Sequence, residues 1–174
     1  MNLLINFIGF QVGWFACVIG AAQGYTLLPV LCALSIVVFH LFRNTTYVEL
    51  YIIVVASVIG FVWETLLVNS GWLSYSVTGD SILVAPVWLV AMWALFATTI
   101  NHSMAWLRSR WVLASLMGAV FGPLAFIAGE NLGAVQFIDR HLALLALALG
   151  WALLMPLLLW IAEKLNSRFD IMGT

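Results

Sequence analysis

Six stretches of about twenty residues, each almost free of charge, run along this chain at 3–22, 26–42, 47–68, 83–106, 111–130 and 141–162. About 20 apolar residues wound as an α-helix cross the roughly 30 Å hydrocarbon core of a bilayer. The stretches are continuously apolar and do not alternate, so they read as helices and not as strands of a barrel. The breaks between them carry turn residues: Gln23-Gly24-Tyr25, Asn44-Thr45-Thr46, NSGWLSYSVTGDS, LRSR and NLGAVQFIDR.

Composition agrees. Of 174 residues, 65% are hydrophobic and 7% charged, against roughly 25% charged in a typical soluble domain. A water-soluble fold needs a polar shell that this chain cannot supply. The expectation is an all-α polytopic membrane helix bundle, a single domain over 1–174 with six transmembrane helices. The first stretch has no Lys or Arg before it and exceeds a signal-peptide core, so it reads as a retained membrane helix. A net charge of −1 is too small to suggest a strongly charged partner, and no nucleic acid is expected. Membrane lipids, and other membrane proteins, are the partners such a surface can meet; no feature encodes an oligomeric state. Cys17 and Cys32 lie inside apolar stretches without metal-ligand spacing and read as small core residues.

Six crossings fix where the basic residues fall. With the N-terminus inside, Arg43, Arg108, Arg110, Lys164 and Arg168 are cytoplasmic and Arg140 alone is outside, the bias expected of an N-in/C-in protein. Trp72, Tyr75, Trp106, Trp111 and Trp160 fall near predicted ends, where amphipathic rings favour the headgroup region. Gly9/Gly13, Gly20/Gly24, Gly118/Gly122 and Gly129/Gly133 have the small-xxx-small spacing of closely packed helices. This pattern predicts that the first and fifth helices are central. Pro123 and Pro156 fall inside predicted helices, where each removes one backbone hydrogen bond and favours a kink.

Polar residues inside the apolar stretches are the candidate site residues, because each has a desolvation cost that something must offset. Glu64 lies about one turn from the outer end of the third helix, and Glu130 closes the fifth on the same side, where Asp80, Asp139, Arg140 and His141 are also predicted. Gln11 sits near mid-depth, one turn from Trp14. Glu64, Glu130 and Gln11, with Trp14, Trp88 and Asn131, are predicted to line one outward-opening cavity. Two acids in such a place suit general acid work or proton carriage. The same residues are explained equally by structure: Glu64 as a polar clamp between helices, Glu130 as a partner of Arg140, Gln11 as an interhelical hydrogen-bonding group.

A second polar group is predicted at the cytoplasmic ends: His40, Arg43, Glu49, Asn101 and His102. An ion pair across the tight turn between the second and third helices accounts for the first three. Spacing alone does not supply converging metal ligands, so neither a metal nor another cofactor is expected. There is no phosphate-cradling glycine loop, no HExxH, no GxSxG, and no heme or iron–sulfur cysteine pattern.

Three segments, FQVGWFACVIGAA, PVWLVAMWALFATTI and GAVFGPLAFIAGENLGAV, give the chain a resemblance to the small bacterial inner-membrane proteins known as domain of unknown function 2878. Its most specific parts are Pro86-Val87-Trp88 with Trp93, and Gly122-Pro123 followed by Ala128-Gly129 and Gly133-Ala134. The resemblance extends over nearly the whole chain. It implies a multi-pass protein of the bacterial inner membrane and carries no established activity, so it assigns no catalytic residue.

Three functional classes follow. The leading one is a structural or accessory membrane component. The others are a membrane-embedded enzyme or subunit modifying a lipid or isoprenoid through Glu64 and Glu130, and a small proton-coupled transporter. Whether the chain is an enzyme is left open by the sequence.

Overall fold

Each apolar stretch folds as a helix. The structure is a computed structural model and describes residues 3–44, 46–75 and 83–172; Asp80 lies outside them. The helices are α1 (Leu3–Ala22), α2 (Leu27–Arg43), α3 (Tyr47–Asn69), α4 (Val87–Ile100), α5 (Trp111–Asn131) and α6 (Arg140–Met172). Two helix ends are cut by glycines in the left-handed region. At Gly24 (φ 78) the Tyr25 N–H bonds the Gly20 carbonyl and the Gly24 N–H that of Ala21. Gly133 (φ 86) ends α5 the same way, with Ala134 bonding Gly129 and Gly133 bonding Glu130. Both are Schellman motifs, in which glycine takes a conformation that a side chain would oppose.

The fourth stretch is shorter than the 83–106 expected from hydropathy. Pro86 caps α4 at its start, and the helix stops after 14 residues at Ile100. There Thr98 and Thr99 turn their hydroxyls back onto the carbonyls of Leu95 and Phe96, and a turn leads to a short 3₁₀ segment, Ala105–Leu107. At 1.5 Å per residue α4 is about 21 Å long, less than the hydrocarbon thickness. Four helices, α1, α3, α5 and α6, are long and apolar enough to cross a membrane, and α2 and α4 are shorter apolar helices. Among the described residues four helices thus have the length and composition of full spans, where length of apolar sequence indicates six. At its other extreme α6 continues ten residues past the expected 162 and packs Phe169 against Tyr51.

Successive helices run in alternating directions. Asn6 near the start of α1, His40 at the end of α2, Glu49 at the start of α3, Asn101 after α4 and Asn166 late in α6 meet at one end through hydrogen bonds. At the other end a two-stranded antiparallel ribbon, β1 (Leu73–Ser74) and β2 (Gln136–Phe137), ties the loop after α3 to the loop after α5. Asp139 caps α6 there, its carboxylate accepting the Leu142 N–H. The beginning of α1 and the far part of α6 thus share one end of the bundle.

The centre is α4. Nearly all its side chains are buried, and it packs on α1, α2 and α3, with a lighter contact on α6. This corrects the expectation that α1 and α5 are central: α5 packs chiefly on α6. The glycine pairs mark close contact and not centrality. A Cβ added at Gly118 would strike the Trp151 backbone carbonyl, and one at Gly122 the Trp151 side chain. Small residues mark one close neighbour, whereas a helix enclosed on every side is apolar all round. Pro123 and Pro156 lie within continuous helices.

Candidate functional site

An apolar cavity of about 430 Å³ lies between α1 and α5, with α4 as its floor. Typical small-molecule sites occupy about 300–1,000 Å³. One wall is Phe10, Gln11, Trp14, Phe15 and Val18 of α1; the facing wall is the Phe121–Gly129 part of α5. Each wall covers about 12 Å along its helix. Glu64 of α3, Trp88, Trp93 and Phe96 of α4 and Trp151 of α6 add to the lining, which reaches Tyr75 and Val135 at one end and Met104 at the other.

The cavity has an open side, because α1 and α5 make almost no direct contact. Phe15, Phe121 and Leu124 line it while 48%, 57% and 49% exposed, whereas Trp88 and Glu64 at its floor are 2% and 1% exposed. The mouth therefore faces outward from the bundle wall, where lipid would lie. Few polar groups enter it. Gln11 is half-buried on the α1 wall, whereas the indole N–H groups of Trp88 and Trp151 are covered by protein and have no hydrogen-bond partner among the described residues.

Glu64 is held on both oxygens. The Tyr75 hydroxyl donates to Oε2 at 2.6 Å and the Trp93 indole N–H to Oε1 at 3.0 Å. Trp93 can reach Glu64 because Gly60, one turn earlier on α3, leaves room for its indole: a Cβ at that position would run into the ring. The ring then stacks on Trp151 of α6 at 5.0 Å between centroids and 13° between planes. Glu64 thus joins α3, α4 and the loop after α3, with an aromatic stack behind it leading to α6.

Of the residues predicted for this cavity, Glu64, Gln11, Trp14 and Trp88 line it. Glu130 and Asn131 are not among its lining residues. Glu130 is paired with Arg140, whose side chain is half exposed, and Asn131 is exposed at the end of α5. The two acids therefore do not form a pair: α5 ends beyond the cavity, where a carboxylate meets Arg140 and water more cheaply than it meets Glu64. Tyr75 was expected at the headgroup level but turns inward onto Glu64 and Trp88. Its signal in the sequence is indistinct, since an interfacial tyrosine and an inward-folded one look alike.

At the opposite end, Glu49 is buried among His40, Asn101 and His102. His40 Nε2 lies 2.9 Å from Glu49 Oε2, and the Asn101 amide donates to Oε1 at 2.8 Å. His102 Nε2 stands 3.5 Å from Oε1. Arg108 and Asn166 both donate to the Asn101 carbonyl oxygen. Arg43, expected in this group, is exposed and outside it; among the described residues Arg108 takes its place, through Asn101. Asn6, which sequence reading passed over, is buried beside the group, donating to the Thr98 carbonyl and accepting from the Ser103 hydroxyl.

A family-wide profile described as Protein of unknown function (DUF2878) matches residues 3–157. The chain belongs to this family. No curated protein and no solved structure matches it. The DUF2878 region takes in every cavity-lining residue and His40, Glu49, Asn101 and His102, while Asn166 falls beyond it. Most of the motifs that carry the resemblance face this cavity: Trp88, Trp93, Gly122, Ala128, Gly129 and Ala134 all line it.

Proposed function

We propose that this DUF2878 protein is an accessory lipid-binding protein of the bacterial inner membrane, with both chain ends toward the cytoplasm. Its cavity between α1 and α5 holds the apolar chain of a lipid or isoprenoid. The observation that carries the reading is an aromatic, largely apolar cavity whose mouth is made of outward-facing Phe15, Phe121 and Leu124. A ligand entering there comes from the bilayer and not from water. Glu64, with both oxygens engaged, serves here as a clamp.

Ala125 lines the cavity on α5, and Ala125→Trp would fill it. Lipids that survive delipidating detergent washes are extracted from wild type and variant and quantified by mass spectrometry. The reading expects a defined lipid near one per chain in the wild type and a loss of most of it in Ala125→Trp, with unchanged helical circular dichroism. Equal retention by both overturns it.

One observation favours a second reading, an enzyme acting on such a chain: Glu64 itself lines the cavity. That reading requires an altered lipid or pigment profile in a deletion strain, restored by the wild type and not by Glu64→Gln. An unchanged profile in the deletion removes it.

A further inference from the structure

We propose that His40, Glu49 and His102 form a binding site for one divalent first-row transition-metal ion, at the end of the bundle opposite Glu64. The three ligands come from separate elements, the last turn of α2, the first turn of α3 and the turn after α4. One potential ligand atom from each lies within 4.8 Å of the other two.

The spacing suits a shared ion. Ligand atoms at about 2.1 Å from one ion stand about 3.0 Å apart at right angles and about 3.4 Å apart at the tetrahedral angle. His40 Nε2 lies 2.9 Å from Glu49 Oε2, and His102 Nε2 lies 3.5 Å from the other carboxylate oxygen, Oε1. A charge-assisted hydrogen bond from His102 would be shorter than that, near 2.7–2.9 Å. Instead His102 Nε2 is buried 3.5 Å from the carboxylate with no hydrogen-bond partner among the described residues, and His40, 1% exposed, brings its Nε2 to the same group.

The surroundings complete the set. Among the described residues no Lys or Arg pairs with Glu49, so only imidazoles and the Asn101 amide face its charge. Arg108 and Asn166 hold the Asn101 oxygen, which fixes that amide with its N–H toward Glu49. Such a supporting hydrogen bond to a ligating carboxylate orients it and tunes the metal. Two imidazoles and one carboxylate select zinc, iron, manganese, cobalt or nickel over magnesium and calcium. Three protein ligands leave a coordination position open. The cavity is a separate feature, since none of these three residues lines it.

Cobalt(II) is the probe, because its visible absorption reports nitrogen and oxygen coordination. Tag-free protein in detergent is stripped with chelator, dialysed and titrated with Co²⁺. The proposal expects one equivalent bound with a visible band. His102→Ala, which removes the most exposed of the three, and Glu49→Gln should each weaken binding at least ten-fold. Asn101→Ala should weaken it about ten-fold or more. His141→Ala, at the other end of the bundle, should bind as the wild type does. Should His102→Ala lose helical circular dichroism, His102→Gln takes its place in the same titration. Absence of saturable Co²⁺ binding by the wild type, or full binding by a folded His102 variant, overturns the site.

Discussion

Replacing Glu64 with leucine tests whether the carboxylate holds the bundle together. The substitution leaves two buried donors, the Tyr75 hydroxyl and the Trp93 indole N–H, without their acceptors. A buried donor stripped of its partner costs about 1–3 kcal/mol, although interhelical hydrogen bonds in membranes average nearer 0.6 kcal/mol. Glu64 is 1% exposed, so water cannot replace it easily, and about 1.5 kcal/mol per donor is a reasonable middle value. Glu64→Leu should therefore lower stability by about 3 kcal/mol. Glu64→Gln should cost only about 1 kcal/mol, because the amide oxygen can still accept from Trp93 while its N–H₂ donates to the tyrosine oxygen. Adding Tyr75→Phe to Glu64→Leu removes one stranded donor. The double variant should be at least about 1 kcal/mol more stable than the sum of the singles predicts. Reversible unfolding by SDS in mixed micelles measures the wild type, the three single variants and the double on one scale. If Glu64→Leu unfolds where the wild type does, the clamp is not there, and the acid must be kept for chemistry.

Other consequences can be read with the same assay. Gly60→Ala pushes a methyl group into the Trp93 ring and should cost about 1–3 kcal/mol by overpacking; an unperturbed tryptophan near-UV circular dichroism spectrum would contradict it. Arg140→Ala breaks a half-exposed pair with Glu130 and should cost less than about 1 kcal/mol, so a larger loss would mean a structural role for Glu130. Burial first, then the neighbouring Glu64 carboxylate, raises the Tyr75 phenol well above the ordinary tyrosine range. The folded protein therefore keeps a proton that the unfolded chain releases near pH 10, and stability present below that pH is lost above it. A plot of stability against pH should fall less steeply above about pH 10 in Tyr75→Phe; parallel curves would refute this.

What could be read in advance depended on range. The limits of α1, α2, α3 and α5 differ from the expected spans by at most one residue, because apolar runs ended by Gly24, Asn44, Ser70 and Gly133 are local signals. The end of α4 was missed because Ala105, Trp106 and Leu107 are apolar; the stop comes from Asn101-His102-Ser103 being drawn into contacts with Glu49 and Asn6, partners far away in sequence. The centrality of α4 was hidden for the same reason. Its residues are apolar all round, as are those of a lipid-facing helix, and only packing tells the two apart. Glu64 stood out as a site residue because a carboxylate in hydrocarbon demands an explanation. Its partners did not stand out, since Tyr75 and Trp93 are ordinary residues of a membrane protein until the fold aims them. The convergence of His40, Glu49 and His102 likewise needed three elements to meet.

The lipid-holding cavity is the claim on which the functional reading rests, and site-resolved photocrosslinking tests it most directly. Cells are fed a fatty acid carrying a photoreactive group along its chain, irradiated, and the purified protein is digested and mapped by mass spectrometry. The account predicts crosslinks concentrated on the α1 segment around Gln11 and Trp14 and on the α5 segment from Phe121 to Gly129, and their loss in Ala125→Trp. Crosslinks spread evenly over outward-facing residues such as Phe42, Val58 and Leu153, with no enrichment between α1 and α5, would contradict it.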